Sequence, residues 1–149
     1  GRFHYVPAEL RGKNYPDSGW ANPVHQVFDV LLPAHPICDG LPASFELTDE
    51  TYLCPIFESE VTALISTRAL SHSSNFSSAY AAIRREEQGN WSHDDESRLV
   101  AWTHEYENST VVYLQPGDGP LAFNNNHYRK LISNTLCWLG NERVNNNEK

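Results

Sequence analysis

The fold is decided by the last third of the chain, Leu99 to Gly140, which reads LVAWTHEYENSTVVYLQPGDGPLAFNNNHYRKLISNTLCWLG. In order, it predicts a strand, a tight turn, a second strand, a glycine-rich loop and a helix. Val111 to Leu114 is a short run of β-branched and aromatic residues, which is typical of a strand buried on both faces. The Pro and Gly residues between Gln115 and Pro120 then end that strand.

A helix is predicted after this loop, because the three Asn residues 124–126 offer N-caps. Gly140 is the glycine expected just beyond its C-terminus. We expect Trp102, Tyr113 and Leu131 to be buried between the hairpin and this helix. The apolar stripe that the helix would lay on a sheet consists of Tyr128, Leu131, Ile132, Thr135, Leu136 and Leu139.

A buried strand, a glycine loop and a covering helix together make an α/β unit. Ligands of open α/β sheets bind beyond the carboxyl ends of the strands. The loop around Asp118 is therefore the predicted site. Glycines on both sides let its backbone approach a ligand closely.

The remaining chain predicts one domain, residues 1–140, followed by a polar, frayed tail at residues 141–149. Residues 107–109 turn the last two strands into a hairpin, and residues 76–87 predict a short helix with a charged end. Strands are predicted at residues 24–32, 49–54, 61–67, 99–106 and 111–114.

Composition narrows the class of partner. The 149 residues are 40% hydrophobic and carry a formal net charge of -8. Such a charge argues against nucleic acid or an anionic membrane surface as the main partner and remains compatible with neutral ligands such as sugars. No apolar run approaches the roughly 18 residues of a membrane-spanning helix. The compartment stays open, with the cytoplasm favoured.

The three cysteines, Cys38, Cys54 and Cys137, form no CxxC pair. An odd count without such a pair predicts neither a disulfide framework nor a zinc site. Cys137 falls in the last predicted helix, and we expect it to be a buried thiol that packs as a small hydrophobic side chain.

The chain contains no Met and opens inside an apparent structured segment at Gly1 to Val6. We therefore expect it to be the C-terminal part of a longer domain. A sheet that lacks its other half exposes an edge and an apolar face, which predicts that the piece alone is aggregation-prone or only marginally folded.

Three segments in a fixed order resemble the trehalose-utilisation, or ThuA-like, family. They are HPICDGLP at His35 to Pro42, DETYLCP at Asp49 to Pro55, and the run from Val111 to Gly140. The opening Gly1 to His4 also resembles the family's Gly-Gly-x-Phe-x-x-His region. Where many members have a Gly-His turn, this chain has Gly117 followed by Asp118.

The resemblance implies a flavodoxin-like three-layer α/β sandwich, similar to class I glutamine amidotransferases, with the N-terminal half missing here. It also implies a role in carbohydrate metabolism, with trehalose or a related sugar as the small-molecule partner and possible homo-oligomers. The upstream loop where amidotransferases place their nucleophile is not in this sequence. His4 becomes a candidate substrate-binding residue through this resemblance.

Glu50 and His104 are the candidate acid and base. A His beside a carboxylate, as in His104–Glu105, is typical of proton transfer chemistry. Adjacent strand residues point to opposite faces, so Asp49 and Glu50 are not by themselves a glycosidase pair. The alternatives are an exposed strand start for Glu50 and a surface position for His104.

Tyr52 and Asp118 are the other candidate substrate-binding residues. Tyr52 shares a strand face with Glu50, where it either stacks on a sugar ring or packs in the core. Asp accepts protons weakly near neutral pH, so we favour ligand or metal binding by Asp118 over proton transfer; the alternative is a turn Asp that caps its own backbone. No HxH, HExxH or CxxC spacing predicts a metal, and no cofactor motif is present. A metal held by His4, Glu50, His104 and Asp118, which are distant in sequence, stays open.

Two functions remain. One is a sugar-processing enzyme, and the other is a non-catalytic carbohydrate-binding or partner-docking domain of the same fold. Whether the chain is an enzyme is left open. A third possibility, a glutaminase-like partner, is disfavoured because no Cys follows a strand at a sharp turn into a helix.

Overall fold

The computed structural model describes residues 18–69, 73–87, 89–93 and 97–146. These residues form one antiparallel sheet with helices. Its strands are β1 (Gly19–Val30), β2 (Ser44–Leu53), β3 (Thr62–Thr67), β4 (Ser77–Ser78), β5 (Leu99–Tyr106) and β6 (Ser109–Leu114). The α-helices are α1 (Ala79–Arg84), α2 (Pro120–Asn124) and α3 (Asn126–Asn146), and single 3-10 turns lie at Pro36–Cys38, Glu58–Glu60 and Ser73–Asn75.

The strand order is β2-β1-β3-β5-β6, and β4 pairs with the start of β1. Every pairing in this sheet is antiparallel. The expected flavodoxin-like sandwich is therefore not confirmed. Parallel neighbours need a crossover of a dozen or more residues. The links from β2 to β3 and from β5 to β6 are shorter than that. The first joins strands separated by one neighbour, and the second joins adjacent strands.

The sheet curls, so its two edge strands meet at one end. Gln115, the first residue after β6, hydrogen-bonds to Thr51 and Tyr52 of β2. In the linear strand order β2 and β6 lie at opposite edges. The mixed α/β character predicted from the sequence is confirmed, but the architecture is a partly closed, half-barrel sheet with helices against one face.

One hydrophobic core lies between this sheet and α3. The helix contributes Tyr128 and Leu131, which are 3% and 2% exposed. The 3-10 turn after β1 contributes Ile37 and Cys38. The sheet contributes Phe28, Phe45, Leu47, Leu64, Ile65, Val100 and Ala101.

The predicted stripe of α3 is correct in its first turns and wrong at Leu136. Leu131 and Thr135 are buried, whereas Leu136 is 66% exposed. Leu136 follows Leu131 by five residues, which places it about 140° around the helix from that side chain. Cys137, which was expected to be buried, is exposed because it also lies on the side of the helix away from Leu131.

The predicted start of α3 is confirmed and its predicted end is wrong. The Oδ1 atom of Asn125 accepts hydrogen bonds from the N–H groups of His127 at 2.9 Å and Tyr128 at 3.1 Å. This is the N-cap expected of the Asn triplet. Gly140 does not end the helix, which continues through Asn146. A single interior glycine costs about 1 kcal/mol relative to Ala and does not by itself stop a helix.

The hairpin of β5 and β6 is confirmed, with Tyr106 paired to Ser109. The prediction that β6 is buried on both faces is wrong, because β6 is an edge strand and Val111 is 42% exposed. Val112 and Leu114 pack against the core. Since side chains alternate along a strand, Tyr113 lies on the opposite face. It stacks on Trp102 and does not pack between the hairpin and α3, as was expected.

The packing of α3 can be tested at Leu131. Leu131→Ala removes a fully buried side chain and should lower the free energy of unfolding by about 2–5 kcal/mol. Leu136→Ala is the matched control on the same helix, and its exposed side chain should contribute little. Urea denaturation of both variants measures the difference. Equal midpoints for the two variants would show that α3 is not docked on the sheet.

Candidate functional site

The candidate site lies where the curled sheet brings its edge strands together. Along β2, the residues Phe45, Leu47, Asp49, Thr51 and Leu53 are buried, and the alternate residues are more exposed. Glu50 and Tyr52 therefore share the face away from α3. Trp20 of β1 pairs with Tyr52. We call the group formed by Trp20, Glu50, Tyr52, Tyr113, Gln115 and Asp118 the Tyr52 cluster.

Glu50 is held between two donors. The indole Nε1–H of Trp20 donates to Glu50 Oε2 at 3.0 Å. The hydroxyl of Tyr52 donates to the other oxygen, Oε1. The carboxylate is therefore fixed in orientation, and the proton of the Tyr52 hydroxyl is committed to it.

Tyr52 keeps its proton because of its surroundings. Burial raises the pKa of Tyr52, and its hydrogen bond to Glu50 and the nearby charge of that carboxylate raise it further. The charge of Asp118 raises the pKa of Tyr52 in the same direction. The two carboxylates thus both act on one phenol, although Glu50 lies on β2, Asp118 lies in the loop after β6, and they are 68 residues apart in the sequence.

Tyr113 forms the wall of the cluster on the β6 side. Its ring stacks on Trp102 with centroids 5.1 Å apart. Burial, together with the neighbouring Cys54, raises the pKa of Tyr113 to about 12, although a hydrogen bond with Gln115 lowers it. Tyr113 is therefore a neutral, half-buried phenol at neutral pH.

Asp49 holds the loop that carries Asp118. The Asp49 side chain is 6% exposed, and its Oδ2 atom accepts from the backbone N–H of Gly117 at 2.6 Å and from that of Asp118 at 3.3 Å. The Tyr128 hydroxyl donates to the carbonyl of Pro116 just before them. The two bonds to the Asp49 carboxylate are charge-assisted, and such bonds are about twice as strong as neutral ones. The loop is thus fixed from β2 and from α3.

Gly117 is required by this geometry. Its φ of 136° lies in a region that residues with a side chain rarely adopt. A Cβ at this position would also lie 2.9 Å from the hydroxyl oxygen of Tyr128. The glycine therefore lets the loop approach α3 closely enough for its N–H to reach Asp49.

Gln115 joins the two edge strands through its side-chain amide. Its Oε1 accepts from the Thr51 hydroxyl at 2.8 Å and from the backbone N–H of Tyr52 at 3.3 Å. Its Nε2 donates to the carbonyl of Tyr52 at 3.4 Å. The closure of the curled sheet at this point depends on this one side chain and on Asp49.

Of the residues proposed from the sequence, Glu50, Tyr52 and Asp118 come together in this cluster. His104 does not join them, because it pairs with Val111, four residues before Gln115 and about 13 Å away along the strand. Its Nδ1 lies 2.6 Å from the carbonyl oxygen of Glu60. His4 lies outside the described residues.

The turn of Asp118 is held by Asp49 and not by Asp118 itself, which was the alternative that the sequence left open. Among the described residues, the Asp118 side chain accepts no hydrogen bond from its own loop, and Asp49 fills that role instead. The exposed Asp118 carboxylate is thus left facing solvent and Tyr52. The short helix after it begins at Pro120 with Gly119 as N-cap.

Sequence reasoning missed Asp49, Gln115 and Trp20. A signal existed for Asp49, which lies in phase with the apolar residues Phe45 and Leu47 and must find buried partners there. Trp20 precedes residue 24, where the first strand was predicted to begin, and the side-chain contacts of Gln115 to β2 span 63 and 64 residues.

Two features are absent from the described part of the chain, a metal-binding group and a membrane-spanning helix. No three His, Cys, Asp or Glu side chains there are grouped closely enough to hold a metal ion. None of its helices is both long enough and apolar enough to cross a membrane.

Comparison with known proteins gives the family. Residues 6–139 match the family described as ThuA, trehalose utilisation. The chain belongs to the ThuA family. Among solved structures, this ThuA chain is similar to a putative ThuA-like protein from Bacteroides uniformis ATCC 8492, with a TM-score of 0.54 and 20% identity. No curated protein matches it.

The alignment covers 82% of this ThuA chain but only 45% of the Bacteroides uniformis protein, so the chain spans less than half the length of that relative. At this identity the likeness supports the fold alone. The flavodoxin-like and amidotransferase-like arrangements implied by the resemblance are not confirmed by these matches.

The role of Asp49 can be tested by Asp49→Ala. This substitution leaves two backbone N–H groups without their acceptor and should lower the free energy of unfolding by about 1.5–3 kcal/mol. Glu46→Ala on the exposed face of the same strand is the control. Chemical denaturation measures both, and a loss no larger than that of the control would show that Asp49 does not hold the loop.

The raised pKa values of the Tyr52 and Tyr113 phenols predict that the protein loses stability at alkaline pH. Their pKa is raised in the folded state, so the unfolded chain releases these protons first, and stability falls as the pH rises above the ordinary tyrosine value of 10.0 towards the folded value of about 12 for Tyr113. Tyr113→Phe keeps the aromatic stack on Trp102 and should lose less stability over this range than the unmodified chain.

Urea midpoints measured between about pH 9 and about pH 11 test this linkage. Tyr80→Phe removes one phenol from an exposed position on α1 and serves as the control. Parallel pH profiles for the unmodified chain and Tyr113→Phe would contradict the assignment.

Proposed function

We propose that this ThuA domain binds a carbohydrate at the Tyr52 cluster and acts in carbohydrate metabolism, with trehalose or a related neutral sugar as ligand. The observation that carries the proposal is the convergence of two carboxylates, Glu50 and Asp118, on one protonated phenol, Tyr52. The family description, trehalose utilisation, supports the same ligand class.

The hydrogen-bonding capacity of the cluster suits a ligand that donates. The Tyr52 proton is committed to Glu50, so the phenolic oxygen has only acceptor capacity left. Asp118 is exposed and accepts only, and Glu50 has lone pairs beyond the two that Trp20 and Tyr52 occupy. Sugar hydroxyls donate readily to such acceptors.

The aromatic residues complete the match to a sugar. Trp20 and Tyr113 are partly exposed, and each has a flat apolar face beside the polar groups. Binding sites for small polar ligands combine such faces with a few placed polar groups. Like-charge repulsion by Glu50 and Asp118 disfavours phosphorylated or acidic sugars, so the proposed ligand is uncharged.

The same site supports either an enzyme or a binding module. In an enzyme, Glu50 would be the acid or base, with His104 as the other candidate, and His4 would be a candidate substrate-binding residue. The two donors that hold Glu50, and the distance of His104 along β5, favour the non-catalytic alternative. A glutaminase-like role is disfavoured, because burial raises the pKa of the Cys38 thiol and so opposes the thiolate that such a reaction needs.

Trehalose binding by the full-length protein tests the proposal. Asp118→Asn removes the exposed charge but keeps the backbone N–H that donates to Asp49. It should weaken trehalose binding by about 10- to 100-fold, the equivalent of one charge-assisted hydrogen bond, without lowering the melting temperature. Isothermal titration calorimetry measures the affinity.

Glu105→Gln is the matched control, since Glu105 is an exposed carboxylate on the same hairpin that accepts from Thr110. Unchanged affinity in Asp118→Asn would remove Asp118 from the site. No binding of trehalose or other neutral mono- and disaccharides by the unmodified protein would overturn the proposed function. Conversion of the sugar, followed by NMR and lost in Glu50→Gln, would favour the enzyme over the binding module.

A further inference from the structure

The side chain of Gln115 takes the place of a neighbouring strand. Its amide oxygen accepts from the N–H of Tyr52, and its amide nitrogen donates to the C=O of the same residue. Two antiparallel strands exchange the same pair of bonds at each hydrogen-bonded residue pair. Gln115 therefore completes the free edge of β2 at one residue, Tyr52.

A second amide on this edge provides a comparison. The Asn125 side chain donates from Nδ2 to the carbonyl of Glu46 at 2.8 Å. Asn125 thus contacts one backbone group of β2 at a residue six positions before Tyr52. Gln115 differs because it contacts both backbone groups of Tyr52 and also the neighbouring Thr51 hydroxyl.

We propose that Gln115 is the positioning residue of the Tyr52 cluster, which fixes Tyr52 and, through its hydroxyl, Glu50. This inference rests on the proposed function for its consequence on sugar binding, but its geometric part stands without a ligand. Gln115 itself makes no contact with the proposed ligand; it acts through the backbone of Tyr52.

The geometry explains why this position needs an amide. β2 is an edge strand, so its outer side has no neighbouring strand to pair with. The N–H and C=O of a strand residue point to the same side, so the Tyr52 groups that bond to Gln115 do not bond to β1, and without Gln115 they would lose these partners. The phenol would then be free to shift relative to Asp118, whose loop Asp49 holds separately.

Gln115 also links Tyr52 to the opposite wall of the cluster. The hydrogen bond between Gln115 and Tyr113 lowers the pKa of Tyr113 against the raising effect of burial. One carboxamide thus contacts β2 through Tyr52 and β6 through Tyr113. The Gln115 side chain thus connects the backbone that carries one phenol to the hydroxyl of the other.

Amide hydrogen exchange of Tyr52 tests the inference without any ligand. Gln115→Leu keeps the size of the side chain but removes its hydrogen bonds. The exchange rate of the Tyr52 amide, relative to the mean for residues 99–103 of β5, should rise by about tenfold or more. Gln115→Glu retains oxygen acceptors for Tyr52 and Thr51 but lacks the donor to the Tyr52 carbonyl, so it should restore only part of the protection.

Asn125→Leu is the matched control. It removes an amide from the same edge of β2 and a helix cap, so it lowers stability without touching Tyr52. Its relative exchange rate at Tyr52 should stay within about twofold of the unmodified chain. If Gln115→Leu does not fold, Gln115→Ser, which is too short to reach β2, is measured in its place. An unchanged relative rate in the variant that folds overturns the inference.

Trehalose affinity of the full-length variants then separates this inference from the proposed function. Gln115→Leu should weaken trehalose binding by about tenfold, while Asn125→Leu leaves it unchanged. Full affinity in Gln115→Leu despite faster exchange at Tyr52 would overturn the link to binding. If the unmodified protein binds no neutral sugar, the proposed function fails, while the exchange result still decides whether Gln115 positions Tyr52.

Discussion

The structure depends on one buried carboxylate, Asp49, and on the two backbone N–H groups that bond to it. An uncompensated charge on the core face of a strand would be strongly unfavourable. Gly117 and Asp118 supply the donors, and they come from the loop after the opposite edge strand. Satisfying the charge of Asp49 therefore requires β6 to end beside β2, which requires the sheet to curl.

The curl in turn builds the Tyr52 cluster. Glu50 and Tyr52 lie on the face of β2 opposite Asp49, because neighbouring residues of a strand alternate. The loop held by Asp49 places Asp118 near the Tyr52 side chain, which lies on that opposite face. A buried interaction on one face of β2 thus sets the arrangement of exposed groups on the other face, and Gln115 fixes the distance between the two strands.

The parts that sequence reasoning predicted correctly are local. The hairpin, the Asn125 cap and most of the α3 stripe depend on residues within a few positions of each other, and Glu50, Tyr52 and Asp118 were singled out from short motifs. The antiparallel curl was not predicted, because it results from pairings across 63 to 69 residues. The family resemblance also implied a flavodoxin-like three-layer sandwich, which the antiparallel pairing of these strands does not confirm.

Three carboxylates, two in the Tyr52 cluster and one on the core face of β2, have different surroundings. The Asp49 carboxylate accepts hydrogen bonds from two backbone N–H groups in the core. The Glu50 carboxylate accepts them from the indole of Trp20 and the phenol of Tyr52. Asp118 is exposed, and no described residue donates to its carboxylate. Because the first two already have donors, Asp118 has the largest unused acceptor capacity in the cluster. A ligand that donates hydrogen bonds therefore gains most at Asp118, while Glu50 and Tyr52 determine which orientations it can adopt there.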